Sequence, residues 1–233
     1  IPDYSIKDPE KLELVAASVG IEVENREMLD IAKDLYRELE RTYTQVEGEI
    51  PFAKRVPPKT LENWRKLGIV PRGSMREIME LMHRTHMGVD QDYENITRQC
   101  SRTALADGWG GSMLATDLQD VLFGTPYPVQ SEANLGVMKA DHVNLVIHGH
   151  EPILSEMIVA VAQRPEMHAY ALSKGAAGIQ LSGICCTANE VLQRHGVPLC
   201  GTFLQQELAI ITGACDAMVV DIQCIFQNVA NVA

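Results

Sequence analysis

The strongest constraint on the fold is a change of hydropathy period after the stretch "GTPYPVQ". Beyond it, short β-rich runs alternate with helical segments. The runs are Val143 to Ile147, "GIQLSG", "VPLCG" and "DAMVVDIQ", and the helices are read from about Pro152 to Val161, near Cys186 to Arg194, and from Gln205 to Ile211. Parallel strands need a crossover between them, normally a helix, so this alternation predicts a parallel sheet wrapped by helices. Composition agrees: apolar residues make up 46% of the chain and aromatics only 5%, as in sheets of aliphatic strands buried on both faces. The expected fold class is α/β, with an α-helical domain over residues 1–138 and a Rossmann-like, doubly wound domain over 139–233, incomplete at its C-terminal side.

The first part reads as successive helices. Asp8-Pro9 supplies a cap and a first-turn proline, and Gly20 a stop. Asn25 is expected to open a second helix, in which Met28, Ile31, Leu35 and Leu39 repeat at helical spacing, so that the two helices pair. The prolines and glycine of "EGEIPFAKRVPPK" predict an extended connection. Ser74 with Glu77 reads as a capping box for a helix running toward His83 and His86, Asp90 as the cap of the next, and "DGWGGS" as an interruption of the apolar pattern.

A formal net charge of −11 argues against a nucleic-acid footprint, which needs clustered Lys and Arg, and against anionic membranes. No apolar run is long enough to insert in a bilayer, and the start of the chain lacks the pattern of a signal peptide, so the expected location is the cytoplasm. Cys100, Cys185, Cys186, Cys200, Cys215 and Cys224 then read better as buried thiols or metal ligands than as a disulfide framework.

In a parallel sheet, ligands gather beyond the carboxyl ends of the strands. Here the first strand ends in His148-Gly149-His150, the second in Cys185-Cys186, the third near Cys200 and the fourth in Gln223-Cys224. A single buried cysteine or a lone histidine is more often structural. Several soft donors, each following a separate strand, are harder to attribute to packing. Cys185 and Cys186 also stand where a helix should begin, which favours a thiolate, and one of the pair is expected to be a ligand with the other packed beside it. By donor chemistry alone, iron–sulfur and zinc remain open.

The stretches "MHRTHMGVD", "RTALADGWGGSMLATDLQDVLFGTP", "VNLVIHGHEPILSEMIV", "GICCTANEVLQRHG" and "QQELAIITGACDAMVVDIQC" resemble the central portion of anaerobic nickel-iron carbon monoxide dehydrogenases, with the flavour of the catalytic subunit in acetogenic complexes with acetyl-CoA synthase. The resemblance implies an oxidoreductase that oxidises carbon monoxide with water, reversibly, to carbon dioxide. It also implies a nickel-iron-sulfur cluster with a partial ligand set here, and further 4Fe-4S clusters in the complete enzyme. Residue by residue, the second histidine of "HGH" and the second cysteine of "GICC" carry over as ligands of the exposed iron, and the cysteine of "QC" as a ligand of the cubane part. These are His150, Cys186 and Cys224. His148 is expected to shape the turn or to bond outside the ligand set.

The implied partners are a second copy of the chain in a homodimer, an electron carrier such as ferredoxin and an acetyl-CoA synthase subunit, with no nucleic acid and no membrane insertion. The family's cysteine-rich segment, remaining cluster cysteines and catalytic lysine find no counterpart, so the chain is expected to be an internal segment that is inactive alone. "QCIFQNVANVA" lacks the proline that more often follows this cysteine. His83 and His86 are read as a polar stripe, Cys100, Cys200 and Cys215 as packed thiols, and Trp64 and Trp109 as core or interface anchors. Two rivals stand: a hybrid-cluster protein reducing hydroxylamine, for which Glu151 or Glu156 could supply a carboxylate, and a non-catalytic α/β scaffold.

Overall fold

The computed structural model describes residues 6–233. The described residues divide into two compact units, one ending at Thr125 and the other spanning Pro126–Ala233. The division lies upstream of the 138/139 boundary expected from the sequence.

In the first unit, α1 (Pro9–Ser18) is capped by Asp8, whose carboxylate accepts the Lys11 N–H at 2.9 Å. α2 (Met28–Thr44) begins after Glu27 and not at Asn25, which sits at φ +56 in the left-handed turn that asparagine tolerates better than most residues. Ile31, Leu35 and Leu39 form the buried face of α2 and cluster with Leu12, Val15 and Ala16 of α1. The stretch expected to be extended instead folds as a 3-10 turn, Pro51–Arg55. Its apolar residues explain the difference: Phe52 joins the α1–α2 core and Ile50 and Ala53 a second cluster, against which Trp64 and Trp109 pack. The two indoles meet edge to face at 5.9 Å.

After α3 (Pro58–Leu67), α4 (Ser74–Arg84) starts with Gly73 as its cap. The expected capping box does not form. Glu77 is fully buried, and its carboxylate accepts the backbone N–H, Nε and Nη2 of Arg72 at 2.9 Å each and Gln99 Nε2 at 2.8 Å. A buried carboxylate must be paired, and a guanidinium does that far better than a helix N-terminus alone. α5 (Tyr93–Asp107) is capped by Asp92, two residues beyond the expected Asp90, which pairs with Arg84 at 2.9 Å. α5 passes through a π turn, Gly108–Ser112, into α6 (Met113–Phe123), so "DGWGGS" widens a helical run without ending it. A Cβ on Gly110 would fall 2.8 Å from Ser74 Oγ, which accounts for a glycine there.

The second unit is built on a four-stranded, all-parallel sheet among the described residues, in the order β3-β2-β1-β4. The strands are β1 (Val143–His148), β2 (Ile179–Ile184), β3 (Leu199–Gly201) and β4 (Ala217–Val220). Between β1 and β2 lie α7 (Pro152–Ala162) and α8 (Pro165–Ser173), the second not foreseen in the sequence. A single α turn, α9 (Cys185–Thr187), runs into a π turn (Ala188–Leu192) after β2. α10 (Gln206–Ile211) precedes β4, and α11 (Val229–Val232) ends the chain. Successive side chains of a strand point to opposite faces. Val146 accordingly packs with Ile184, Cys200 and Ala209, while its neighbour Ile147 packs with Val159, Leu181 and Leu192. The sheet is covered on both faces, as a doubly wound fold requires. No helix among the described residues is long and apolar enough to cross a membrane.

Candidate metal centre

Because the strands are parallel, their carboxyl ends share one rim. His148 stands in register with Ile184 of β2 on one side and Val220 of β4 on the other. The segments that leave the sheet there are Gly149-His150, Cys185-Cys186 and Asp221 to Cys224. His150, Cys186 and Cys224 are thus carried to the same rim. Cys224 and Asp221 stand near enough to Cys185 and Cys186 to act on both thiols electrostatically.

Backbone groups at this rim are bound together by Asp221, a residue that the sequence reading did not single out. Its Oδ1 accepts the N–H groups of His150, at 2.8 Å, and Ile222, and its Oδ2 accepts that of Glu151 at 2.7 Å. Gly149 makes this possible: at φ +143, a Cβ there would lie 1.6 Å from Asp221 Oδ1. The Gly149 carbonyl in turn accepts the Thr187 N–H at 3.1 Å, tying the β1 and β2 ends. Three non-glycine residues of the rim are left-handed: Cys185 at φ +70, Gln223 at +65 and Cys224 at +54. Each such residue costs on the order of 1–3 kcal/mol and persists only where its surroundings enforce it.

The two histidines of "HGH" differ at Nε2, while the buried Nδ1 of each has no hydrogen-bond partner among the described residues. His148 is fully buried, with Nε2 2.9 Å from Gln206 Oε1. His150 is partly buried, and its imidazole makes no hydrogen bond among the described residues, its buried Nδ1 included. An imidazole with no internal partner beside half-buried and exposed thiols is a donor set with spare coordination capacity.

The thiols of Cys185 and Cys186 are both pushed up from the ordinary cysteine value. Burial, followed by the neighbouring Cys224 and Cys186, pushes the Cys185 thiol up to about 11. Burial and then Cys224 and Glu190 push Cys186 up as well. The thiolate expected from a helix N-terminus is not favoured here, because α9 is one turn long and its dipole is outweighed by desolvation and nearby acidic groups. Metal binding at this rim would therefore displace protons.

The other cysteines are not assigned to metal. Cys200 is buried, its thiol 3.7 Å from the Gly183 carbonyl, and Cys215 is half-buried, while Cys100 is exposed on α5 and not packed as expected. Glu151 caps α7 by accepting the Ile153 N–H at 3.1 Å, and Glu156 binds His195 Nε2 at 2.9 Å. His83 and His86 are exposed, His83 in the last turn of α4 and His86 beyond its end. Among the described residues, no three His, Cys, Asp or Glu side chains gather tightly enough to hold one metal ion. A tetrahedral zinc site needs such convergence.

Known proteins show the same arrangement of chain. The sequence is 55% identical over 228 residues to carbon monoxide dehydrogenase 1 of Methanosarcina acetivorans, a match covering 98% of this chain and 36% of the relative. It is 47% identical over 235 residues to the carbon monoxide dehydrogenase/acetyl-CoA synthase subunit beta of Moorella thermoacetica, covering 100% of this chain and 34% of that protein. A nickel-free crystal structure of carbon monoxide dehydrogenase from Thermococcus sp. AM4 superimposes with a TM-score of 0.95 at 48% identity, over 98% of this chain and 36% of that one. The chain thus spans about a third of the length of these relatives. The Prismane/CO dehydrogenase family model matches residues 1–233, and the chain belongs to that family.

Proposed function

We propose that this chain supplies part of the ligand set of the nickel-iron-sulfur cluster in a carbon monoxide dehydrogenase, with His150 and Cys186 holding the exposed iron and Cys224 an iron of the cubane part. The observation that carries this reading is the shared rim: the three donors follow β1, β2 and β4 at the carboxyl end of one parallel sheet. The donor chemistry fits the group. His150 has an imidazole free of internal hydrogen bonds, and the thiols are soft donors of the kind that iron–sulfur clusters take.

When bound, such a cluster supplies Lewis-acidic metals and a store for the two electrons released as carbon monoxide and water become carbon dioxide. The chain's own part is to bind and orient. Asp221 fixes the backbone of His150, and the turn through Gly149 brings the imidazole off the end of β1 toward the cysteines. The hybrid-cluster alternative needs a carboxylate ligand, for which Glu151, the α7 cap, and Glu156, bound to His195 through one oxygen only, are the candidates.

The same proposal takes in a homodimeric enzyme in the cytoplasm that passes electrons to a ferredoxin-type carrier. The name of the Moorella relative adds an acetyl-CoA synthase subunit as a partner. The test is to purify the protein without oxygen and to measure nickel, iron, sulfide and carbon-monoxide-dependent reduction of a low-potential dye. His150→Ala, Cys186→Ala and Cys224→Ala should each lose metal and dye reduction. Iron and sulfide without nickel would favour a hybrid cluster, and a folded protein indifferent to all three substitutions would be a scaffold.

A further inference from the structure

Gln206, the first residue of α10, is fully buried and uses every donor and acceptor of its amide. Its Nε2 donates to the carbonyls of Phe203 at 2.6 Å and Cys224 at 3.0 Å. Its Oε1 accepts the Phe226 N–H at 2.8 Å and faces His148 Nε2 at 2.9 Å. These partners fix the amide's orientation, since two carbonyls demand the NH2 group and a backbone N–H demands the oxygen. His148 must therefore carry its proton on Nε2 and donate it. The ring of Phe226 meets Phe203 edge to face at 5.9 Å, closing the loop onto the start of α10.

We propose that Gln206, oriented by His148, is the positioning residue that sets where the Cys224 thiol stands on the rim. The amide grips the loop on both sides of Ile225, donating to the Cys224 carbonyl and accepting from the Phe226 N–H. Gln223 and Cys224 are held in the left-handed region, which neither side chain favours by itself. No other side chain hydrogen-bonds the Cys224 carbonyl among the described residues. Through His148, the end of β1 that leads into His150 is bonded to the same amide, so one buried group references two donor segments to each other. The inference rests on the reading of Cys224 as a cluster ligand.

Two substitutions test it in the metal-loaded protein, beside Cys224→Ala. Gln206→Met keeps the length of the side chain and removes all four hydrogen bonds. Gln206→Glu keeps acceptors for Phe226 and His148 but loses the donor to the Cys224 carbonyl. With Gln206→Met, amide exchange should lose its protection at Phe226, retention of iron should fall about 10–100-fold, as for partners that orient metal ligands, and the cluster's electron paramagnetic resonance spectrum should change. Gln206→Glu should recover protection at Phe226 and fall between the two in iron retention. A folded Gln206→Met protein with unchanged spectrum and iron retention would overturn the proposal. If that variant does not fold, Gln206→Glu decides, and iron retention equal to the parent's overturns it. Retention of all metals by Cys224→Ala would instead overturn the ligand reading beneath.

Discussion

Cys185 and Cys186 leave β2 side by side with different surroundings. Cys185 packs against the cluster of Val146, Ile184 and Cys200, and Cys224 lies near its thiol. Cys186 is half-buried and takes no part in that cluster. If Cys186 is the ligand, Cys186→Ala should strip metal while leaving the thermal midpoint of the metal-free protein nearly unchanged. Cys185→Ala should keep its metal and cost about 1 kcal/mol in packing. Metal analysis and thermal melts of both variants check this, and equal metal loss would mean that the pair acts jointly. Donors at the strand ends were legible as a group because a soft side chain after each parallel strand is a local pattern repeated, while the choice of His150, Cys186 and Cys224 among them rested on the resemblance. Asp221 and Gln206 were not legible. Their partners are backbone groups far off in sequence, and no periodicity marks a side chain whose task is to satisfy another segment's amides.

At the scale of elements, the Asp8-Pro9 cap made α1 readable and periodicity made α2 and the strands so, whereas the start of α4 and the short turns were decided by tertiary partners. The 3-10 turn at Pro51–Arg55 exists because Phe52 needs burial, and α8 begins at a proline inside a stretch whose apolar spacing is weak. The start of α4 is the sharpest case. Ser74 and Glu77 have the spacing of a capping box, but Arg72 takes the carboxylate. The Arg72 side chain also reaches Glu80 at 2.7 Å, and Arg76 reaches it at 2.9 Å. Burial alone would raise both carboxyls. The guanidinium bonds outweigh it, lowering Glu77 and bringing Glu80 from 4.5 to about 2. With folded values below unfolded ones, the unfolded chain binds more protons in acid. This contribution is therefore complete above pH 4.5 and lost as pH falls toward about 2. Glu80→Gln should lower stability at neutral pH and flatten the acid dependence by up to about 1.4 kcal/mol per pH unit. Circular-dichroism melts of both proteins between about pH 5 and 2.5 measure the two slopes, and identical slopes would contradict the assignment.

At the scale of the whole chain, the residues proposed to hold metal all belong to the Pro126–Ala233 unit, while the helices α1 to α6 make up the other. A ligand that binds only the folded state stabilises whatever it holds by mass action, by about 2.7 kcal/mol at a hundredfold excess over its dissociation constant. That corresponds to exchange about 100-fold slower for amides that open only when the metal is released. Amide hydrogen exchange compared with and without metal should therefore show new protection at three places: His148 to Glu151, Ile184 to Thr187, and Val220 to Phe226. The first two are already linked by the Gly149 carbonyl, and the third is bonded to the first through Asp221. Helices α1 to α6 contain none of the proposed donors and should exchange at unchanged rates. Protection arising first in those helices, or spread evenly over both units, would place the metal elsewhere and remove the rim of the parallel sheet as its site.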